Sequence, residues 1–486
     1  MRRIAIRVLA ALSVVVMLAG VVVAQPSAAP PAPLPDSPAG RRVAAWLAAF
    51  NSGDEATIKA FFEENMAAEA RERRPLAERV AMTRELRAQL GTLAVRRVLD
   101  AKSDRVVVLV RGSEEFVSLT FSFEANDPWG LVSLRLEQAS GDEQAPPAPM
   151  PEATALEVIR REVTAAAGAD EFAGTVLIAR RGKPVLLDAW GPAERAFGSP
   201  CRTDTKYNLG SINKLFTRVA IGQLAQQGKL SLGDTVARHL PDYPNAEAAK
   251  KVTIRHLIDM SSGIGDFFGD DFDATPKDRL RRNADFLPLF AAQPLAFEPG
   301  SNRQYSNGGY IVLGAIVEKV SGEDYHEYVR KHVYAPAGMA STDSYEADVV
   351  VPNLAEGYTN RWAGGAEVGA GPRRRNIYSR PARGSAAGGG YSTAEDLLRF
   401  ANALRGDKLL SPEWTDWMLS GVEPGGARQP RDEGGFGFAG GAPGISAALE
   451  VDLERDTTIV VLSNLDPPAA TDIARRIRRY LEAVTD

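Results

Sequence analysis

Apolar and polar positions alternate along this chain in two regimes. Near the N-terminus Val43, Trp46, Leu47 and Phe50 recur at helical spacing, and Asn51-Ser52-Gly53-Asp54 follows as a stop for that helix and a cap for the next. Ile58, Phe61 and Phe62 mark one face of a second helix, and a third pattern covers Leu76 to Leu90. Four strand candidates come next, Leu93–Leu99, Arg105–Arg111, Phe116–Phe123 and Leu131–Glu137, the first and last with visible two-residue alternation. Helices followed by an antiparallel sheet is an α+β order.

The second regime begins after a Pro-rich stretch, 139–152, which contains Pro146, Pro147, Pro149 and Pro151 and predicts an extended linker. A helix over Thr154–Ala167 leads into two strands, Gly174–Arg180 and Pro184–Ala189, joined by the Arg181-Gly182-Lys183 turn. Helical and loop segments fill the middle, and two more strands, Ile445–Asp452 and Thr457–Ser463, precede a closing helix over Thr471–Val484. Strands from both ends with helices between them predict one antiparallel sheet, flanked by helices, with a helical part beside it. A cleft between sheet and helical part is the expected place for a site.

The expected organisation is therefore an α+β module at 39–138, the linker at 139–152 and a main domain at 153–486. Before them, Arg2, Arg3 and Arg7 precede an apolar run from Val8 to Val23, with small residues at Val22-Val23-Ala24. Residues 1–24 read as a secretory signal, and the Pro- and Ala-rich 25–38 as a disordered tether. The protein is then periplasmic or extracellular; an uncleaved membrane anchor is the alternative. Either way an association with the cell envelope follows.

Composition narrows the chemistry. The 486 residues are 44% hydrophobic and 24% charged, enough for large cores, and the net charge of −5 with no basic stripe excludes a nucleic-acid partner. Cys201 is the single cysteine, so no intrachain disulfide forms. His239, His256, His326 and His332 are scattered without metal-ligand spacing, and neither a metal nor a cofactor is expected.

The chemical signal is Ser211-Ile212-Asn213-Lys214 at the head of a helix that runs without a breaker to Gly228. Residues three apart share a helix face, so hydroxyl and amine lie close enough to act as nucleophile and proton acceptor. About ninety residues on, Tyr305-Ser306-Asn307 follows Pro299-Gly300 and opens an apolar helix over Ile311–Val320. A loop tyrosine can offer its phenol to a neighbouring nucleophile, and an asparagine both a donor and an acceptor. No G-x-S-x-G elbow occurs, which argues against a triad esterase of the α/β-hydrolase type.

Together Tyr207–Lys214, the Thr253–Ile264 segment, Phe297–Asn307 and the glycine-rich Gly384–Phe400 resemble the serine β-lactamase and penicillin-binding superfamily. Within it they are similar to the class C β-lactamase branch with its related esterases and D-aminopeptidases. The 39–138 module resembles the cone-shaped nuclear transport factor 2-like fold in element order only; such cones often hold a ligand or a partner, but no convergent polar set stands in this one, and a structural or docking role is expected.

The larger resemblance implies an acyl-enzyme mechanism on a small ester, amide or peptide. Ser211 attacks, Lys214 takes its proton, Tyr305 assists and Asn307 holds the substrate's amide. The backbone N–H groups of Ser211 and Gly441 form the oxyanion hole. Ser392 with Glu395 reads as a capping box on the helix near Phe400. The third motif departs from the family's K-T-G or H-x-G, because Phe438-Ala439-Gly440 stands there, before Gly441. Phe438, Gly440 and Gly441 are expected to line the substrate site, and without a cation at 438 efficient β-lactam hydrolysis is not expected. The alternative to an active hydrolase is a catalytically weak protein that keeps the scaffold to bind a ligand or cell-wall peptide.

Overall fold

The computed structural model describes residues 33–73, 75–112, 116–124, 129–139, 147–360, 372–420, 424 and 435–485. The signal segment, most of the tether and residues 140–146 of the linker lie outside them. The chain forms two compact units, one on each side of that linker. Among the described residues no helix is long and apolar enough to cross a membrane.

In the N-terminal unit α1 (Pro38–Ser52) starts where Ser37 accepts from the Gly40 amide, with proline at the first helical position. Left-handed Gly53 ends it, and the Asp54 carboxylate caps α2 (Glu55–Asn65) by accepting from the Thr57 amide. The short α3 (Ala68–Arg73) has no apolar period for a sequence reading to find. α4 (Leu76–Leu90) then leads to four strands, β1 (Ala94–Ala101), β2 (Arg105–Arg111), β3 (Phe116–Phe123) and β4 (Leu131–Ala139). They pair antiparallel in sequence order. Val117, Leu119, Phe121 and Phe123 alternate into the core, and Trp46 meets Phe50 at 5.0 Å and Phe121 at 5.4 Å between ring centroids.

The second unit opens with α5 (Glu152–Gly168) and the hairpin of β5 (Gly174–Arg180) and β6 (Lys183–Trp190). Arg181 and Gly182 both take positive φ, at 51° and 70°, the two-residue turn whose twist suits a hairpin. α6 (Asn213–Gln226), α7 (Asn307–Ser321) and α8 (Ala394–Arg405) are the longest of the described helices in the helical part, with shorter ones between them. The chain returns through β7 (Gly435–Ala442), β8 (Ile445–Asp452) and β9 (Thr457–Ser463), and ends in α9 (Ala469–Glu482). The sheet order is β7-β8-β9-β5-β6, antiparallel throughout, with β9 against β5 so that strands from the two ends of the unit close it.

Each sheet face has its own core because side chains alternate across a strand. Val176 and Ile178 face α5 and α9, whereas Leu177 and Ala179 face the helical part. α6 is buried nearly all round, from Asn213 to Ala225, which makes it the pillar of the helical part. One detail differs from the sequence reading. Thr393, not Ser392, caps α8, accepting from the Asp396 amide, while the Ser392 hydroxyl pairs with Thr342 at 2.7 Å.

Phe216 of α6 is fully buried and meets Tyr334 and Phe400 edge-on at 5.1 and 4.9 Å. Phe216→Ala is expected to destabilise the unit by about 3–5 kcal/mol, since three rings meet there and cannot collapse onto the void. Urea denaturation followed by circular dichroism measures the loss.

Candidate active site

Ser211 lies in a single 3-10 turn, Gly210–Ile212, that runs directly into α6. That turn is wedged against the edge strand β7. Gly210 takes φ 49°, and a Cβ there would stand 2.9 Å from the Gly441 nitrogen. A Cβ on Gly440 would stand 1.9 Å from the Leu209 carbonyl oxygen and 3.1 Å from the Ser211 nitrogen. Only glycine allows this approach, and it brings the Ser211 turn up to the strand edge. β7 and β8 close on the two-residue turn Pro443-Gly444, so Ala442–Ile445 is the hydrogen-bonded closing pair and Gly441–Ser446 is not. The Gly441 N–H therefore points away from β8, toward the open edge where Ser211 lies.

The Thr253–Ile264 segment positions the tyrosine. Thr253 and His256 cap a short helix reciprocally, so His256 is structural. The loop beyond it carries the next one: the Gln304 amide donates to the Met260 carbonyl at 2.8 Å and the Ser306 hydroxyl to the Gly265 carbonyl at 2.8 Å. Tyr305, held between them, stands half exposed with its hydroxyl 2.5 Å from Ser211 Oγ. Ser306 then caps α7, accepting from the Gly309 amide.

Lys214 is fully buried. Its Nζ lies 2.7 Å from Asn307 Oδ1, 2.5 Å from the Ala387 carbonyl oxygen and 3.2 Å from Ser211 Oγ. The rings of Tyr305 and Tyr310 flank it at 4.9 and 5.4 Å. Burial lowers the lysine pKa to about 7, opposed by the negative charge of Asp266. A neutral amine has two N–H bonds and one lone pair. The two carbonyl oxygens take the N–H bonds, which leaves the lone pair for the serine hydroxyl. Burial also raises the Tyr305 phenol above its ordinary value, with Asp266 adding to the rise and the Ser211 hydrogen bond opposing it. The phenol thus keeps its proton at neutral pH, and Lys214, not Tyr305, is the group free to accept one there.

Asn307 is more committed than its motif suggests. Its Oδ1 serves Lys214, and its Nδ2 donates to Asp266 Oδ2 at 2.7 Å, which leaves one N–H for a ligand. Asp266 also accepts from the Asn307 backbone amide at 3.1 Å. Sequence reasoning missed Asp266, two residues past the Thr253–Ile264 segment in a loop with no periodicity to flag it. It missed the Ala387 carbonyl for the same reason, since a backbone oxygen leaves no mark in residue identity.

The cleft over these residues encloses ≈ 510 Å³ and its exposed lining is mostly apolar, with Phe267, Phe268, Tyr345 and Tyr391 in its walls. Ser211, Tyr305, Asn307 and Gly441 open onto it; Phe438 and Gly440 do not. Both lie on the other face of β7, where Phe438 packs against the helical core and Gly440 against Leu209. The expectation that Phe438 and Gly440 touch substrate is corrected accordingly: β7 gives the cleft Ala439 and Gly441 by alternation along the strand, and Ala442 where the strand ends in the turn. Among the described residues no group of three or more His, Cys, Asp or Glu is placed to hold a metal ion.

A sequence model of the beta-lactamase family matches residues 159–483. The chain belongs to the beta-lactamase family. It is, on that footing, a serine hydrolase. A penicillin-binding protein of Bacillus subtilis (strain 168) is 29% identical over 314 residues, which cover 60% of this chain and 68% of the relative. Esterase EstB of Burkholderia gladioli is 30% identical over 309 residues, 56% of this chain and 74% of the esterase. Among solved structures, a penicillin binding protein from Bacillus halodurans superposes with TM-score 0.57 at 30% identity, covering 68% of this chain and 99% of that one. The D-amino acid amidase of Ochrobactrum anthropi shares the fold, with TM-score 0.57 at 22% identity over 68% of this chain and 98% of the amidase.

Two measurements probe this geometry. Gly440→Ala is expected to slow labelling of Ser211 by a fluorophosphonate about 10²-fold, because the added methyl collides with the Leu209 carbonyl and pushes the serine turn off its position by an ångström or so. Circular dichroism should stay native. The pH profile of kcat/KM is expected to rise through about pH 7, as Lys214 loses its proton and becomes a base. Asp266→Asn removes a negative charge that favours the protonated lysine, so the rising limb should move to lower pH.

Proposed function

We propose that this protein is an exported serine hydrolase that cleaves a small ester, amide or peptide through an acyl-enzyme on Ser211. The observation that carries the reading is the buried Lys214, with both N–H bonds of its neutral form taken by carbonyl oxygens and its lone pair facing Ser211 Oγ. As Oγ bonds to the substrate carbonyl carbon, its proton passes to Lys214 Nζ. The carbonyl oxygen becomes an oxyanion, met by the backbone N–H groups of Ser211 and Gly441. Collapse of the tetrahedral intermediate expels the alcohol or amine, which takes a proton from the Tyr305 hydroxyl, and the phenol regains it from Lys214. Water repeats the sequence on the acyl-enzyme and frees the acid and Ser211.

Several features support an ester or amide over a β-lactam. Ala439, Gly441 and Ala442, which β7 gives to the cleft, carry no side-chain charge or hydrogen bond for a carboxylate at the strand edge. The aromatic walls suit an apolar acyl or aryl group. A relative at 30% identity is named an esterase. Within the family we place the chain in the class C-like branch, on Tyr207–Lys214 and Phe297–Asn307. The apolar run Val8–Val23 behind three arginines supports export to the cell envelope. The N-terminal unit, four helices and a four-stranded antiparallel sheet, is read as a nuclear transport factor 2-like module for a ligand or partner.

Intact-mass spectrometry of the purified protein after a fluorophosphonate, a penicillin and a chromogenic ester tests the reading. One adduct per chain with the fluorophosphonate, lost in Ser211→Ala, is expected, with ester turnover well above cephalosporin turnover. A folded wild-type protein that takes no adduct and turns over no ester would be a binding protein, and the hydrolase reading would fall.

A further inference from the structure

The charge in the cleft wall is one-sided. Among the described residues those that line it include Arg380 and Arg383 and no aspartate or glutamate. Beneath the floor, Lys214 and Asp266 oppose each other in sign and are both joined to Asn307. The two wall arginines differ in what they already hold. Arg383 Nε donates to the Ser344 carbonyl at 3.0 Å, and its guanidinium lies 3.7 Å from Glu346. Nearby arginines of the same stretch are likewise engaged, Arg373 with Asp170 and Arg375 with Glu194. Arg380 is partly buried, opens onto the cleft and has no hydrogen bond or ion pair among the described residues.

Its backbone is not free to swing away. The Ser379 hydroxyl and amide both donate to the Asn376 carbonyl, at 3.0 Å each. The Ala382 amide donates to Lys277 at 2.9 Å, the Ala347 amide to the Ala382 carbonyl at 2.7 Å, and the Arg383 amide to Leu280 at 3.2 Å. Asn376 in turn donates to the Pro443 carbonyl at 2.9 Å, which ties this segment to the β7–β8 turn beside the oxyanion donors. A guanidinium held on a fixed segment, partly buried among apolar and aromatic walls and without an anionic partner among the described residues, presents a planar fork that matches a carboxylate in a two-point grip.

We propose that Arg380 binds a carboxylate of the substrate, so that the preferred substrates are small esters or amides that carry a free carboxylate apart from the scissile bond. This assignment rests on the serine hydrolase reading above and specifies its substrate class.

Two matched pairs of esters test it with the full chain: p-nitrophenyl hemiglutarate against p-nitrophenyl valerate, and 3-carboxyphenyl butyrate against phenyl butyrate. The first places the carboxylate on the acyl side and the second on the leaving group. In at least one pair the carboxylated ester is expected to have the higher kcat/KM, mainly through KM, by roughly tenfold, the worth of one charge-assisted grip on a partly buried guanidinium. Arg380→Gln should bring that ratio close to one, Arg380→Lys should restore part of it, and the distant Arg455→Gln should leave it as in wild type. The assignment is overturned if wild type prefers neither carboxylated ester, or if its preference survives in Arg380→Gln. Turnover of the neutral esters in either case would leave the hydrolase reading standing; no turnover of any of the four and no serine adduct would remove both.

Discussion

The desolvation of one amine organises this site. An ammonium group cannot be taken out of water without cost, and Lys214 at the centre of the helical part has none of its surface exposed. The protein meets that cost by holding the amine near neutrality with two carbonyl acceptors, Asn307 and Ala387, which come from different elements. Asp266 limits the effect by drawing the pKa back up, so that the amine titrates near pH 7 instead of staying a permanently neutral base. The same burial that makes Lys214 a base keeps Tyr305 an acid. Two groups with neighbouring ordinary pKa values are thus pushed apart in opposite directions, as acid and base chemistry in one cleft requires.

The second constraint is contact between backbones. The serine turn meets β7 at Gly210, Gly440 and Gly441 with no room for a Cβ on the first two. This puts the Ser211 turn of the helical part beside the Gly441 backbone of the sheet edge. Neither part holds the site alone: the lysine belongs to α6, the tyrosine loop to the Met260–Gly265 scaffold, and the Gly441 amide to β7. The burial of Phe216 among Tyr334 and Phe400 keeps α6 in place, so the stability of the helical core and the position of Ser211 are linked.

Much of this was legible in the chain. β2, β3, β5, β8 and β9 fall at the expected residues because short runs rich in apolar and β-branched residues, bounded by turn residues, mark a strand whether one face or both are buried. Helix ends marked by Gly53, Asp54 and Gly228 follow from left-handed glycine and carboxylate capping. Errors came where periodicity is absent or ambiguous by one residue. α3 is six mostly polar residues, and at α8 two adjacent hydroxyl residues could each have been the cap. Phe438 stands on the face away from the cleft because the motif marks a position along the strand and not a face, and a single step of parity separates the two.

The sequence by itself determined which chemistry is available: a serine and a lysine one helical turn apart, a tyrosine and an asparagine on a glycine-bounded loop, and strands at both ends to join in one sheet. Local periodicity and turn chemistry are enough for that, because each depends on residues near in the chain. Only the tertiary structure decided how the groups are tuned. The pKa of Lys214, the engagement of both ends of the Asn307 amide, the turning of Phe438 into the core and the opening of Arg380 to the cleft all depend on distant partners. These are Asp266, the Ala387 carbonyl, the parity of β7 and the absence of a carboxylate among the described residues of the cleft wall. Dielectric environment and hydrogen-bond partnership are properties of what surrounds a group in space, and no spacing along the chain encodes them.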